Sequence, residues 1–195
     1  TYAHNHPETP RDHIVQGDIR EVVDHLEELL KDKKVDIVVG GPPCQGFSMA
    51  NRQRLIDDPR NHLYKNYVEV VKRVLPAFFV MENVKGMLSV ADQVKEDFRN
   101  IGYTVECHIL NAKDFGVPQN RERLIYIGNR IGIDNGKIFE EIFELSKSIP
   151  DYVLGDAIFA LRPLQASRVK NSTEQGSETS GYRIEKNDLE VSNAY

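Results

Sequence analysis

Cysteine is scarce in this chain: there are two in 195 residues, Cys44 and Cys107. Two thiols do not make a disulfide framework, so a reducing, cytosolic setting is the expected one. Long apolar runs are lacking as well. Nothing approaches the roughly 18 residues that a membrane-spanning helix needs, and no charged-then-apolar leader is expected from the residues given. Positive charge is in deficit, with 25 Lys and Arg against 30 Asp and Glu and a net charge of −5. That excludes a wholesale basic coat for nucleic acid but not a local basic groove, because phosphate attraction is set by the charges near the contact. Between Met49 and Leu75, Arg52, Arg54, Arg60, Lys65, Lys72 and Arg73 outnumber Asp57, Asp58 and Glu69, a modest excess that a solvated surface also shows. The chain opens on "TYAHNHPETP" without an initiating Met and stops at "EVSNAY" without a closing element. It is expected to be an excerpt of a longer protein.

What is present is a regular alternation. "DIREVVDHLEELLKD" sets Ile19, Val22, Val23, Leu26, Leu29 and Leu30 on one helical face, with Asp18 and Glu21 at capping-box spacing. "VDIVVG" is too continuously apolar for a half-exposed strand and predicts a buried parallel one. A helix follows through Tyr64, Tyr67, Val68, Val71 and Val74 and is stopped by Pro76. "AFFVMENV" predicts a second buried strand, "MLSVADQVKEDFRNIG" a helix ended by Gly102, and "YTVECHIL" and "RLIYIG" two further strands. With "HIVQG" as a first strand, the order gives an α/β protein with a doubly wound, mostly parallel sheet and crossover helices. Ligands of such sheets bind beyond the carboxyl ends of the strands, where Asp18, Pro43 with Cys44, and Glu82 are expected to meet. Residues 131–164 read as a connecting segment with one or two short helices. The polar, Ser-rich residues 165–195 read as a long loop or the start of another module.

Cys44 draws attention because "GGPPCQGFS" mounts it on a rigid loop at a strand end. Pro42 and Pro43 fix φ and remove two amide donors, while Gly40 and Gly41 let the backbone bend or admit a ligand closely. A presented nucleophile and a structural thiol both remain open for Cys44; Cys107, inside a strand, reads as a small buried hydrophobe. Glu82 in "MENV" is either a loop carboxylate paired with an Arg or an acid whose pKa burial has raised. Arg121 and Arg123 alternate on an extended segment, which suits recognition of phosphate or carboxylate and equally a salt-bridged surface strand. Other signals carry less. "DFG" at Asp114 to Gly116 lacks the remaining kinase sequences, His4, His6 and His13 lack zinc spacing, and "GGPP" lacks the Lys-Ser/Thr of a phosphate loop. A thiol hydrolase would need His62 or His108 as its base, with no motif behind either.

Together, "GGPPCQGFS", "MENV" and "NAKDFGVPQNRERLIYIG", in that order and spacing, resemble the cytosine-5 DNA methyltransferase family, with the likeness running over residues 1–130 as the central part of its catalytic domain. The resemblance implies an S-adenosyl-L-methionine-dependent, Rossmann-like fold and a substrate cytosine swung out of duplex DNA. It implies that Cys44 attacks carbon 6 of the ring, that Glu82 contacts N3 and the exocyclic amine with Asn83 beside it, and that Arg123, with Arg121 next to it, holds the base. For the cofactor it implies Asp18, Ile19, Pro43 and Leu63; for the flipped nucleotide or its phosphate, Gln45 and Ser48, with Arg60 in a loop that closes over DNA. Double-stranded DNA is the implied partner, with a cognate restriction endonuclease in a bacterial cytoplasm and a monomeric full-length enzyme. The Gly-rich cofactor loop and most of the target-recognition domain are expected to lie outside these residues. Two alternatives stand beside this reading: a tRNA cytosine-5 methyltransferase on the same scaffold, and a relative that binds DNA without catalysis.

Overall fold

Ile37, Val38 and Val39 on one strand and Val80 and Val84 on its neighbour supply β-branched side chains that favour extended chain. The computed structural model describes residues 2–31, 33–43 and 62–159. The chain begins with α1 (Tyr2–Asn5), α2 (Ile19–Val22) and α3 (Leu26–Leu30), the last two joined by a 3₁₀ turn at Val23–His25. It continues through β1 (Ile37–Gly40), α4 (His62–Val74), β2 (Phe78–Val84), α5 (Ala91–Arg99), β3 (Thr104–Asn111), β4 (Glu122–Asn129), α6 (Asn135–Ser146) and α7 (Leu154–Ile158). The sheet order is β1-β2-β4-β3. β1 and β2 are parallel, with Gly40 level with Met81, and β2 and β4 are antiparallel, with Val84 level with Arg123. The sheet is therefore mixed.

Four local expectations are corrected. "HIVQG" forms no strand: His13 closes a 3₁₀ turn, and irregular chain with a bend at Gly17 leads from it to α2. The helix predicted from Asp18 to Asp32 is broken, because His25, with φ −111° and ψ 12°, leaves the helical region between its halves. β1 is parallel as expected but not buried, since Ile37 is 52% and Val39 69% exposed; it is the edge of the described sheet. The helix expected from Met87 starts later, at Ala91, after a 3₁₀ segment at Lys85–Val90; helix α4 and strands β2, β3 and β4 fall where periodicity put them. Helix α4 ends at Val74; Leu75 beyond it has φ +50°, ahead of Pro76, and Gly102 takes φ +90° after α5.

The backbone divides into two compact units, Thr1–Ile109 with Arg123–Phe139, and Leu110–Glu122 with Glu140–Tyr195. The first holds the core, where Tyr64, Val71, Phe79, Met81, Met87, Val94, Phe98, Leu124 and Tyr126 are fully buried. Phe79 and Phe98 stack with ring centroids 4.0 Å apart, and Tyr103 closes the cluster by donating its hydroxyl to the Pro76 carbonyl at 2.6 Å. In the second unit, the Asn111 side chain accepts from the Arg121 amide at 3.0 Å, and Ala112 N–H donates to the Arg121 carbonyl at 3.0 Å. Asp156 caps α7 by accepting from the Val153 amide at 2.8 Å. Among the described residues, no helix is long and apolar enough to cross a membrane.

Candidate active site

The site is built at the carboxyl end of the parallel pair β1 and β2, where backbone dipoles and loop ends converge. Helix α4 supports it from beneath. The Tyr67 hydroxyl lies 3.0 Å from the Val38 carbonyl and 2.9 Å from the Val80 carbonyl, joining α4 to both strands. Burial raises its pKa, so it acts as a neutral donor at physiological pH. Its ring runs under Gly40 so closely that a Cβ there would fall 2.6 Å from a ring carbon.

Beyond Gly40 the chain passes directly over the end of β2. A Cβ on Gly41 would stand 3.1 Å from Glu82 Oε2, so a residue without a side chain lets backbone and carboxylate meet. One residue on, the Pro42 carbonyl accepts a hydrogen bond from Asn83 Nδ2 at 3.1 Å. Asn83 completes its pairing by accepting from the Val84 amide through Oδ1 at 2.8 Å. It is buried, at 3% exposure.

Glu82 itself is half-exposed and pairs with Arg123, Nε to Oε1, at 2.7 Å. The pairing follows from the ladder. Val84 is level with Arg123 and Glu82 with Ile125, so Glu82 and Arg123 are diagonal neighbours on one face of an antiparallel pair. Of the two readings open for Glu82, the carboxylate paired with an Arg is the one observed. Arg121 precedes β4, belongs to the second unit and is exposed, whereas Arg123 is half-buried; the alternating spacing does not give the two guanidiniums the same surroundings.

Asp18 caps α2. It accepts from the Arg20 amide at 2.9 Å and from Arg20 Nε at 2.9 Å, and its second oxygen meets Arg20 Nη2. The hydrogen bonds to the Arg20 side chain and amide hold its pKa down at about 2, so it is anionic throughout the neutral range. Ile19 beside it is exposed, Pro43 is exposed and Leu63 is half-buried. Helices α2 and α4, which carry Ile19 and Leu63, pack against each other. Cys44, Gln45, Ser48 and Arg60 lie outside the described residues. Cys107 lies in β3 as expected but is half-buried rather than fully buried, set against the core cluster, and burial pushes its pKa up.

Sequence reasoning missed three contributors. Arg20 grips Asp18, a pairing that the Asp-x-Arg spacing at a helix start could have suggested. The Tyr67 hydroxyl left no signal, because its ring fits an apolar helical face equally well. The bond from Asn83 to Pro42 depends on a strand register that no local pattern reveals.

The comparisons with known proteins agree in direction. A family model described as C-5 cytosine-specific DNA methylase matches residues 1–192. The Type II methyltransferase M1.HphI of Haemophilus parahaemolyticus is 46% identical over 141 residues, covering 68% of this chain and 37% of that protein. The Type II methyltransferase M.FnuDI of Fusobacterium nucleatum is 42% identical over 170 residues, covering 83% and 45% respectively. A crystal structure from E. coli, described as a DNA modification methyltransferase encoded within a prophage, superposes with a TM-score of 0.60 at 28% identity over 78% of this chain and 45% of that one. The chain thus spans less than half the length of each of these relatives.

Proposed function

Because the chain belongs to the C-5 cytosine-specific DNA methylase family, we propose that the protein containing it methylates carbon 5 of cytosine in duplex DNA, as the modification enzyme of a Type II restriction system. The observation that carries this reading is the Glu82–Arg123 pair at 2.7 Å, set against the backbone that leads into Cys44. A carboxylate and a guanidinium on one face of an antiparallel strand pair can hold a cytosine by its polar edge, while a thiol delivered from the adjoining strand end addresses the ring.

The chemistry needs all three groups because carbon 5 of cytosine is a poor nucleophile. The Cys44 thiolate adds to carbon 6, and the electron pair displaced from the 5,6 double bond moves toward N3. Glu82 shares a proton with N3 and accepts from the exocyclic amine, which neutralises the charge arriving there. Arg123 orients the Glu82 carboxylate and the base through fixed donors. Carbon 5, now enamine-like, is the nucleophile toward the electrophilic methyl group that the cofactor would supply, the methyl–sulfur bond being the one that would break. Loss of the proton on carbon 5 restores the double bond and expels the thiolate. Gln45 and Ser48 contact the flipped nucleotide, and Arg60 and Arg121 meet DNA phosphate. Extrusion of the base costs a few kcal/mol, which contacts elsewhere on the duplex offset.

The residues present also fit S-adenosyl-L-methionine. An anionic Asp18 beside an exposed Ile19 offers an acceptor for an adenine amine and an apolar surface for its ring. Pro43 and Leu63 complete the set from the loop and from α4. When bound there, the cofactor supplies an electrophilic sulfonium methyl group.

The test uses the full-length protein and duplex DNA carrying 5-fluorocytosine, which cannot lose a proton from carbon 5. A covalent protein–DNA adduct should accumulate only with S-adenosyl-L-methionine present, and Cys44→Ser should abolish it. An adduct that survives the substitution removes Cys44 from the nucleophilic role.

A further inference from the structure

Asn83 lies next to Glu82 in sequence and invites the same role, contact with the flipped base. The strand geometry separates them. Successive side chains of a strand point to opposite faces, and β2 alternates between half-buried and buried positions along its length. Glu82 shares a face with Phe78, Val80 and Val84. Asn83 shares the other with the core residues Phe79 and Met81 and is 3% exposed. A side chain so enclosed, with its amide nitrogen and oxygen engaged at 3.1 Å and 2.8 Å, does not read a nucleobase.

Its two bonds suit a different task. The parallel register places Gly40 level with Met81, and two further steps bring Pro42 level with Asn83. Pro42 and Pro43 have no N–H, so past Gly41 the chain cannot donate to β2 by backbone hydrogen bonds, and a carbonyl is the only main-chain polar group it can offer there. Asn83 Nδ2 takes that carbonyl. Its Oδ1 is tied back to the next amide of its own strand, which fixes the orientation of the side-chain amide. The loop is thus held on both sides, by Asn83 at Pro42 and by close approach to Glu82 at Gly41.

We propose that Asn83 is a positioning residue for the nucleophile: through the Pro42 carbonyl it sets the place and direction of the two-proline segment that leads into Cys44. The inference rests on the reading of Cys44 as nucleophile given above. Asn83→Asp is nearly isosteric but sets an acceptor against the Pro42 carbonyl in place of a donor, and Asn83→Ala removes the donor.

The experiment measures, for the full-length protein, kcat and KM on duplex DNA together with the pH profile of Cys44 alkylation by iodoacetamide without DNA, read by peptide mass spectrometry. Thermal melting verifies folding, and Asn83→Ala decides the matter if Asn83→Asp does not fold. The expected result is a kcat lowered by about tenfold to a hundredfold, the scale of a misplaced reacting group, with KM for DNA within about twofold of wild type and a shifted alkylation profile. A folded variant with wild-type kcat overturns the proposal. So does one that loses only through KM with an unchanged alkylation profile, since that is the behaviour of a base contact. Cys44→Ser keeps the two readings apart: methylation retained by Cys44→Ser sinks the nucleophile assignment, whereas an inactive Cys44→Ser beside fully active Asn83 variants sinks only the role of Asn83.

Discussion

Glu82 divides its two oxygens between different neighbours. Oε1 meets Arg123 Nε at 2.7 Å, and Oε2 looks onto the backbone of Gly41. The pair is partly open to water, with 42% of the Glu82 side chain and 26% of the Arg123 side chain exposed, so solvent screens it and its share of folding stability is about 1 kcal/mol or less. Its value is orientation: each group fixes the other before a substrate arrives. Glu82→Gln keeps the shape but gives up the charge and, in the proposed mechanism, the proton shared with N3. The expected outcome is a melting temperature close to wild type and a single-turnover methylation rate lowered by about a hundredfold to ten-thousandfold, the range for a lost acid–base group. A loss of less than tenfold would place the proton transfer on another residue. Asp18 shows the opposite economy. Its carboxylate already accepts three hydrogen bonds from Arg20 and keeps room for one more donor, so any adenine contact there is made while Arg20 still holds it.

At the scale of elements, the strand ends are positioned by what lies under them. Tyr67 bridges β1 and β2 with one hydroxyl, and Gly40 rides on its ring. Gly40→Ala would drive a methyl into a ring that two carbonyls hold in place. The expected cost is about 1–3 kcal/mol of stability, together with a fall in methylation, because β1 carries the loop to Cys44. Melting curves and activity of the full-length variant check both; a neutral substitution would mean that the ring yields. Much of this architecture could be read in advance. The period of α4 and α5 and the apolar runs of β2 and β4 are strong local signals, and the motifs singled out Glu82 and Arg123, which the structure brings together as an ion pair. The breaks at His25 and in "HIVQG" were not legible, because apolar spacing alone does not report the backbone angle that interrupts it. The exposed face of β1 was not legible either, since an apolar run is written the same way at the edge of a sheet as in its middle. The Asn83 bond was hidden for a third reason: it depends on Gly40 being level with Met81, a tertiary fact.

For the molecule as a whole, pH acts through acids that folding keeps neutral. Burial raises the pKa of Tyr67, Tyr103 and Cys107, the last two also feeling weaker charges from Arg130 and from Lys95, Glu106 and Asp92. An acid whose pKa is higher in the folded state is ionised first in the unfolded chain. Its contribution to stability is whole below the unfolded pKa and is lost as pH climbs from there through the folded value. The unfolded values lie at about 8.5 for a thiol and about 10 for a phenol, so the decline begins with Cys107 and steepens with the two tyrosines. Asp18, with its pKa near 2, acts at the other extreme and titrates outside this window. The expected outcome is a melting temperature for the full-length protein that is level around neutrality, falls from about pH 9 and falls faster above about pH 10. Tyr67→Phe separates the two roles of the hydroxyl. The variant loses the bonds to Val38 and Val80 and should melt lower at neutral pH, by about 1 kcal/mol of stability. It also has no phenol to ionise, so its further decline between pH 9 and pH 10.5 should be shallower than that of the wild type. If the two decline in parallel, the phenol under the strand ends is not what makes the folded state sensitive to alkali, and the buried bridge from α4 to both strands carries no proton linkage.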